Sequence, residues 1–231
     1  MTNKMKSIIT KYKKGCSAAN DLFLRADRLE WPQGEVPPSH KTYTDAGITQ
    51  ISKEEFMGAF VNVYKSALPP NIKWTSLQVL LRTLWTQLKE SSARDGDDRC
   101  LNCLQDPEHI AHVMFHCVVA HGTLQVIKDI INNGRTDKID ITPDTVLFHK
   151  LPNDIRNEER NYIADLLMLY KHVLYRLRFC ERNDRQITSK LVLISIILEA
   201  QKYIVLKNRD GESAENQVSF FRAMKRAINW E

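Results

Sequence analysis

The sequence predicts an all-α fold, a helical bundle. Apolar residues recur at three- and four-residue spacing in segment after segment, which is the period of a helix with one buried face. No stretch alternates convincingly with period two. The 8 Gly and 8 Pro are spread along 231 residues, so there is no long low-complexity segment, and 43% hydrophobic with 26% charged residues is ordinary globular composition.

Taken in order, the chain opens on Lys4, Lys6, Lys11, Lys13 and Lys14, five positive charges before the first acid. The net charge is +5, so the remainder is close to neutral. Such an arm either meets phosphate or is a solvated tip. Ser17 to Leu29 has a weak helical pattern, stopped by "WPQGEVPP" at Trp31–Pro38. Residues 1–50 are therefore expected to be a basic arm and linker, and 51–231 a helical domain. Ser52 followed by Glu55 is a capping box, opening a helix with Phe56, Phe60 and Val63 on one face. Pro69 and Pro70 end it. Thr75 or Ser76 is expected to cap the next helix, whose face carries Leu77, Leu81, Leu84 and Leu88, with Trp74 and Trp85 in the core beside it. Lys89–Arg99 is a polar loop. His109–Ala120 reads as one helix and Thr123–Ile131 as another, closed by "NNG" at Asn132–Gly134. A turn region with Pro143 and Pro152 leads to three more expected helices, Asn157–Arg182, Thr188–Lys207 and Ser213–Trp230.

No apolar run reaches the roughly 20 residues a membrane span needs. The longest, "LVLISIIL" at Leu191–Leu198, is followed by Glu199. No apolar core with a small-residue cleavage site opens the chain, so no secretory signal is expected. Five cysteines is an odd number, three of them clustered. That pattern points to a reducing, intracellular setting and to a metal rather than disulfides; a nuclear location is expected before a cytoplasmic one.

The cluster is "CLNCLQDPEHIAHVMFHC", Cys100 to Cys117. Cys100 and Cys103 have the two-residue spacing of a knuckle, in which two thiolates hold one zinc ion. Tetrahedral closure needs two more ligands from His109, His112, His116 and Cys117. On an α-helix His112 and Cys117, five apart, point about 140° away from each other, so they converge only at a helix end or with local unwinding. His112 and His116 share a face more cleanly but leave Cys117 idle. Thiolate is the stronger zinc ligand, which favours Cys100, Cys103, His112 and Cys117, a CCHC knuckle. Four protein ligands leave no position for water, so the expected zinc is structural.

The run "RCLNCLQDPEHIAHVMFHC" resembles the zinc knuckle near the C-terminus of non-LTR (LINE-type) retrotransposon reverse transcriptases. There a CxxC is followed by a short acidic loop, a Glu, a His, a few apolar residues and a final Cys. Here those are Cys100, Cys103, Glu108, His112, the apolar Val113, Met114 and Phe115, and Cys117. Trp74–Leu88, Ile141–Phe148, Leu166–Cys180 and Leu198–Asn208 follow the order of the family's flanking helices, and the resemblance spans roughly residues 50 to 210. The polymerase is absent: no aromatic-led Asp-Asp pair exists, and Asp165 in "YIAD" is expected to face solvent. The restriction-like nuclease of some relatives opens with Pro-Asp and a later acid. Pro143-Asp144 and Glu158 or Glu159 lie on a segment that turns helical, where that nuclease uses strands.

Along Asn157–Arg182, Ile163, Leu166, Tyr170, Val173, Leu174 and Leu177 form an apolar stripe. Lys171, Tyr175, Arg178 and Arg182 form a second, basic one, expected to bind phosphate with Tyr175 stacking on a base. The resemblance implies a non-catalytic module that holds RNA or DNA, with a polymerase or other protein as partner in trans, either as a stand-alone protein or as part of a larger one. The alternative is a zinc-stabilised adaptor whose helical faces bind protein. No constellation of an enzyme is legible. The two readings part on whether the Lys171–Arg182 stripe is open to solvent or covered.

Overall fold

The computed structural model describes residues 52–81, 84–87, 97–133, 135–180 and 187–209. The expected basic arm and linker, the tip of the long helix with Arg182, and the expected helix Ser213–Trp230 lie outside them. The described residues are helical, with a single isolated β-bridge between Arg99 and Pro107. None of these helices is long and apolar enough to cross a membrane.

Helix α1 (Lys53–Lys65) starts as its sequence dictates. The Ser52 side chain accepts the Glu55 N–H and the Glu55 carboxylate accepts the Ser52 N–H. Phe56, Phe60 and Val63 are buried. Helix α2 (Pro70–Leu80) begins earlier than expected. Pro70 occupies the first helical position, where its fixed φ and missing N–H cost nothing. Thr75 and Ser76 are therefore buried inside the helix and cap nothing. Trp74 and Trp85 are partly solvent-exposed, while Leu84 is in the core.

The region expected as helices 109–120 and 123–131 is arranged differently. A π-helical turn (His112–His116) runs into a break at Cys117, and helix α3 (Val118–Ile131) then continues without interruption through Gly122. Gly122 is a contact site and not a stop: a Cβ there would lie 2.5 Å from Ser189 Oγ. The close of α3 at Asn132 is as expected, and the buried Asn132 amide bonds both backbone groups of Ile139. A short helix α4 (Pro143–Phe148) fills part of the expected turn region, again with Pro at its start and Thr142 as cap.

Helix α5 (Asn157–Cys180) is the centre of the molecule, packing against α1, α2, the π turn and α6 (Ser189–Arg209). Leu166 to Leu174 is buried without a gap. A helix enclosed on all sides has no solvent face to spare. Polar links fix it in place. The Tyr170 hydroxyl donates to the Met114 carbonyl at 2.9 Å, Ser66 donates to Asp165 at 2.6 Å, and Thr75 Oγ1 meets His172 Nδ1 at 2.9 Å. Asp165 is thus half-buried and tied to the end of α1, where the sequence suggested a solvated residue.

Candidate metal centre

Three segments bring the four candidate ligands together. The first is a tight loop: Cys100 N–H bonds the Asp106 carbonyl at 2.8 Å, Glu108 N–H the Asp98 carbonyl at 2.7 Å, and Leu104 N–H the Cys100 carbonyl at 2.7 Å. Leu104 turns the chain with φ 59°, a left-handed conformation usually left to glycine. Cys100 and Cys103 therefore project to one side.

The second segment is the π turn. Its Cys117 N–H bonds the His112 carbonyl at 2.7 Å, an i to i+5 link. Widening the turn to five residues brings His112 and Cys117 round to the same side, which an α-helix would hold about 140° apart. The third is the start of α3, where Cys117 is the residue before the first helical position. Its side chain makes no full capping hydrogen bond, but the N–H groups of Val119 and Ala120 face its sulfur.

The ligand atoms of Cys100, Cys103, His112 and Cys117 all lie within 4.8 Å of one another. Cys100 and Cys117 sulfurs are 4.0 Å apart, and Cys103 Sγ is 3.4 Å from His112 Nε2. Zinc–sulfur and zinc–nitrogen bonds in a tetrahedron would set these edges at about 3.8 Å and about 3.6 Å. The residues fit a metal ion. Cys100, Cys117 and His112 are buried and Cys103 is half-buried. With Nε2 facing the cluster, His112 Nδ1 faces the Asp106 carboxylate at 3.8 Å, on the side from which a carboxylate would fix the ring's tautomer.

The hydrogen bond to Cys117, then burial, raises the Cys100 thiol to about 12, and the same bond holds the Cys117 thiol below its ordinary value. Burial pulls the His112 imidazolium down, but Cys100 and Cys103 outweigh it and raise it to about 9. His109 and His116 stand outside this group: His109 Nδ1 accepts the His112 N–H at 3.1 Å, and His116 is exposed.

Glu108 completes the architecture. Its fully buried carboxylate accepts the N–H groups of Gln87 at 2.7 Å and Leu101 at 2.9 Å, and it forms an ion pair with Arg178, whose guanidinium also donates to the Trp85 carbonyl at 2.8 Å. One carboxylate thus joins the metal loop, the segment after α2, and α5.

This corrects the reading of the basic stripe. Lys171 is 0% and Arg178 4% exposed, Tyr175 is half-buried under the Arg178 guanidinium, and Arg182 lies outside the described residues. Lys171 Nζ lies 2.7 Å from His149 Nε2, and Arg178 is consumed by Glu108. The signal was in the spacing. Leu167 and Leu174 lie about 40° and about 60° from Lys171 around the helix, on the face it occupies. His149 and His172 are the buried partners of Lys171 and Thr75.

Comparison with models of protein families and with curated proteins finds no match for this chain.

Proposed function

We propose that Cys100, Cys103, His112 and Cys117 hold one structural zinc ion, and that the chain is a non-catalytic, zinc-stapled helical interaction module. The observation that carries this is the convergence of four ligand atoms from three segments onto a tetrahedron-sized cluster, three of its residues buried. Four protein ligands close the coordination sphere, so the metal would supply folding energy and leave no open position for a substrate. Covering of Lys171 and Arg178 favours the adaptor reading over phosphate binding by α5. Descent from the knuckle region of LINE-type reverse transcriptases stays part of the proposal. It rests on the motif order of residues 100–117 alone.

The test is metal content and stability measured together. The purified chain is expected to carry one zinc per chain, and its cobalt-substituted form to show thiolate charge-transfer and tetrahedral absorption bands. Chelation and Cys103→Ser should each lower the thermal midpoint sharply, because zinc affinity is folding energy in such sites. A chain that binds no zinc, or whose midpoint ignores both changes, sinks the reading.

One observation favours a nucleic-acid surface elsewhere. Tyr64 and Trp74 are exposed on α1 and α2 with Lys65, and Lys73 Nζ donates to the Tyr64 carbonyl at 3.0 Å. Aromatic faces beside lysines suit unpaired bases and their phosphates. A titration with single-stranded RNA that falls steeply with salt, and is weakened by Trp74→Ala, would support this second reading.

A further inference from the structure

Two apolar side chains beside the candidate centre, one on its loop and one at the start of α3, are exposed. Leu104 is 55% exposed and stands in the left-handed conformation, φ 59°. For a residue with a Cβ this backbone costs about 1–2 kcal/mol, and glycine would relieve it. Val118 is 65% exposed at the first position of α3. Each directly follows a candidate ligand, Leu104 after Cys103 and Val118 after Cys117, whose sulfurs lie within 4.8 Å of each other. A filled centre would therefore fix the backbone beside both side chains, which lowers the entropy cost of binding.

The charge around them selects the partner. From Asp97 to His121 the only Lys or Arg is Arg99, which is bonded to Asp97. Among the described residues Asp98 and Asp106 have no Lys or Arg ion pair; Asp106, exposed two residues beyond Leu104, faces His112 Nδ1 at 3.8 Å with one carboxylate oxygen. Three thiolates on a divalent ion add a further net negative charge. A phosphate backbone is repelled by such a surface, whereas cations flanking an apolar stripe complement it.

Resting on the adaptor reading, we propose that the Leu104–Val118 face is a docking surface for a basic amphipathic helix of a second protein. The two aliphatic side chains take its apolar stripe, and Asp98 and Asp106 take its flanking lysines or arginines.

The experiment titrates the full, zinc-loaded chain with a synthetic helical peptide bearing leucine on one face and lysine on the other. A leucine–glutamate counterpart and a scrambled leucine–lysine peptide are controls. The amphipathic basic peptide should bind with affinity that falls with salt, and Leu104→Gly and Val118→Ser should each weaken it about tenfold. Leu104→Gly relieves backbone strain, so its thermal midpoint should hold or rise while its binding falls, and a folding defect cannot mimic the result. Equal binding of the scrambled peptide, unchanged binding by both variants, or single-stranded RNA competing at this face overturns the inference. Zinc content of the same samples separates the failures. A chain without zinc refutes the structural-zinc reading, while a zinc-loaded chain indifferent to the peptides refutes only the docking surface.

Discussion

Lys171 is fully buried with its nitrogen 2.7 Å from His149 Nε2, and no carboxylate pairs with it among the described residues. His149 reaches it because it ends α4 in the left-handed conformation, φ 55°. Burial lowers the Lys171 ammonium to about 7. The unfolded chain keeps that proton to about pH 10.4. Between these values the unfolded state binds more protons, so stability rises with pH across that window, and the cost of the buried charge is felt in full below about pH 7. Burial, then Lys171, also holds His149 well below its ordinary value, so His149 stays neutral throughout the window. Lys171→Met removes the slope. Relative to the parent, the variant should gain most near pH 6.5, on the order of 1–4 kcal/mol, and lose that advantage toward about pH 9.5. Denaturant unfolding of both zinc-loaded proteins at the two pH values measures it. A difference that does not change with pH would mean that Lys171 keeps an ordinary affinity for its proton.

At the scale of elements, the expectations that held were those with a local cause. The Ser52–Glu55 box acts within four residues, the apolar face of α1 repeats with the helical period, and Asn132 closes α3. Those that failed needed a partner from far along the chain. The expected gap between Ala120 and Thr123 spans Gly122, yet Gly122 is the point where α3 and α6 approach, a contact set by Ser189, 67 residues later. The four clustered residues were legible because metal chemistry demands particular residue types at knuckle spacing, but the π turn that lets His112 and Cys117 converge was legible only as a need for unwinding. The contact at Gly122 can be measured. Ser189 Oγ donates to the Val119 carbonyl at 3.0 Å, so it cannot swing away from a new Cβ without losing that bond. In the parent, Gly122→Ala should therefore forfeit the ~1 kcal/mol of helix propensity it would otherwise gain. With Ser189→Ala the nearest remaining atom is Ser189 Cβ at 3.4 Å, ordinary contact, and the gain should return. A coupling of about 1 kcal/mol in the double-mutant cycle is expected; strict additivity would mean that the helices do not meet there.

For the molecule as a whole, the Glu108–Arg178 pair decides how the metal loop and the helical core depend on each other. Glu108 holds the Leu101 N–H inside the Cys100–Cys103 turn, and Arg178 anchors that carboxylate to the end of the central helix. Both partners are almost wholly buried, so losing one strands the other's charge. Arg178→Met should therefore cost about 3–5 kcal/mol of stability. Adding Glu108→Gln should recover part of it by removing the stranded charge, although its one amide oxygen can accept from Gln87 or from Leu101 but not from both, as the two carboxylate oxygens do. The same variant tests the link to the metal. If Glu108 positions the ligand turn, zinc affinity measured by competition with a chelator should fall about 10–100-fold in Arg178→Met, as it does when an outer partner of a ligand is lost. A phosphate-binding Arg178 predicts the opposite pattern: weaker binding of nucleic acid with an unchanged thermal midpoint and unchanged zinc affinity. The two assignments of one arginine thus separate cleanly, because a side chain that joins the core to the metal loop cannot be removed without moving both.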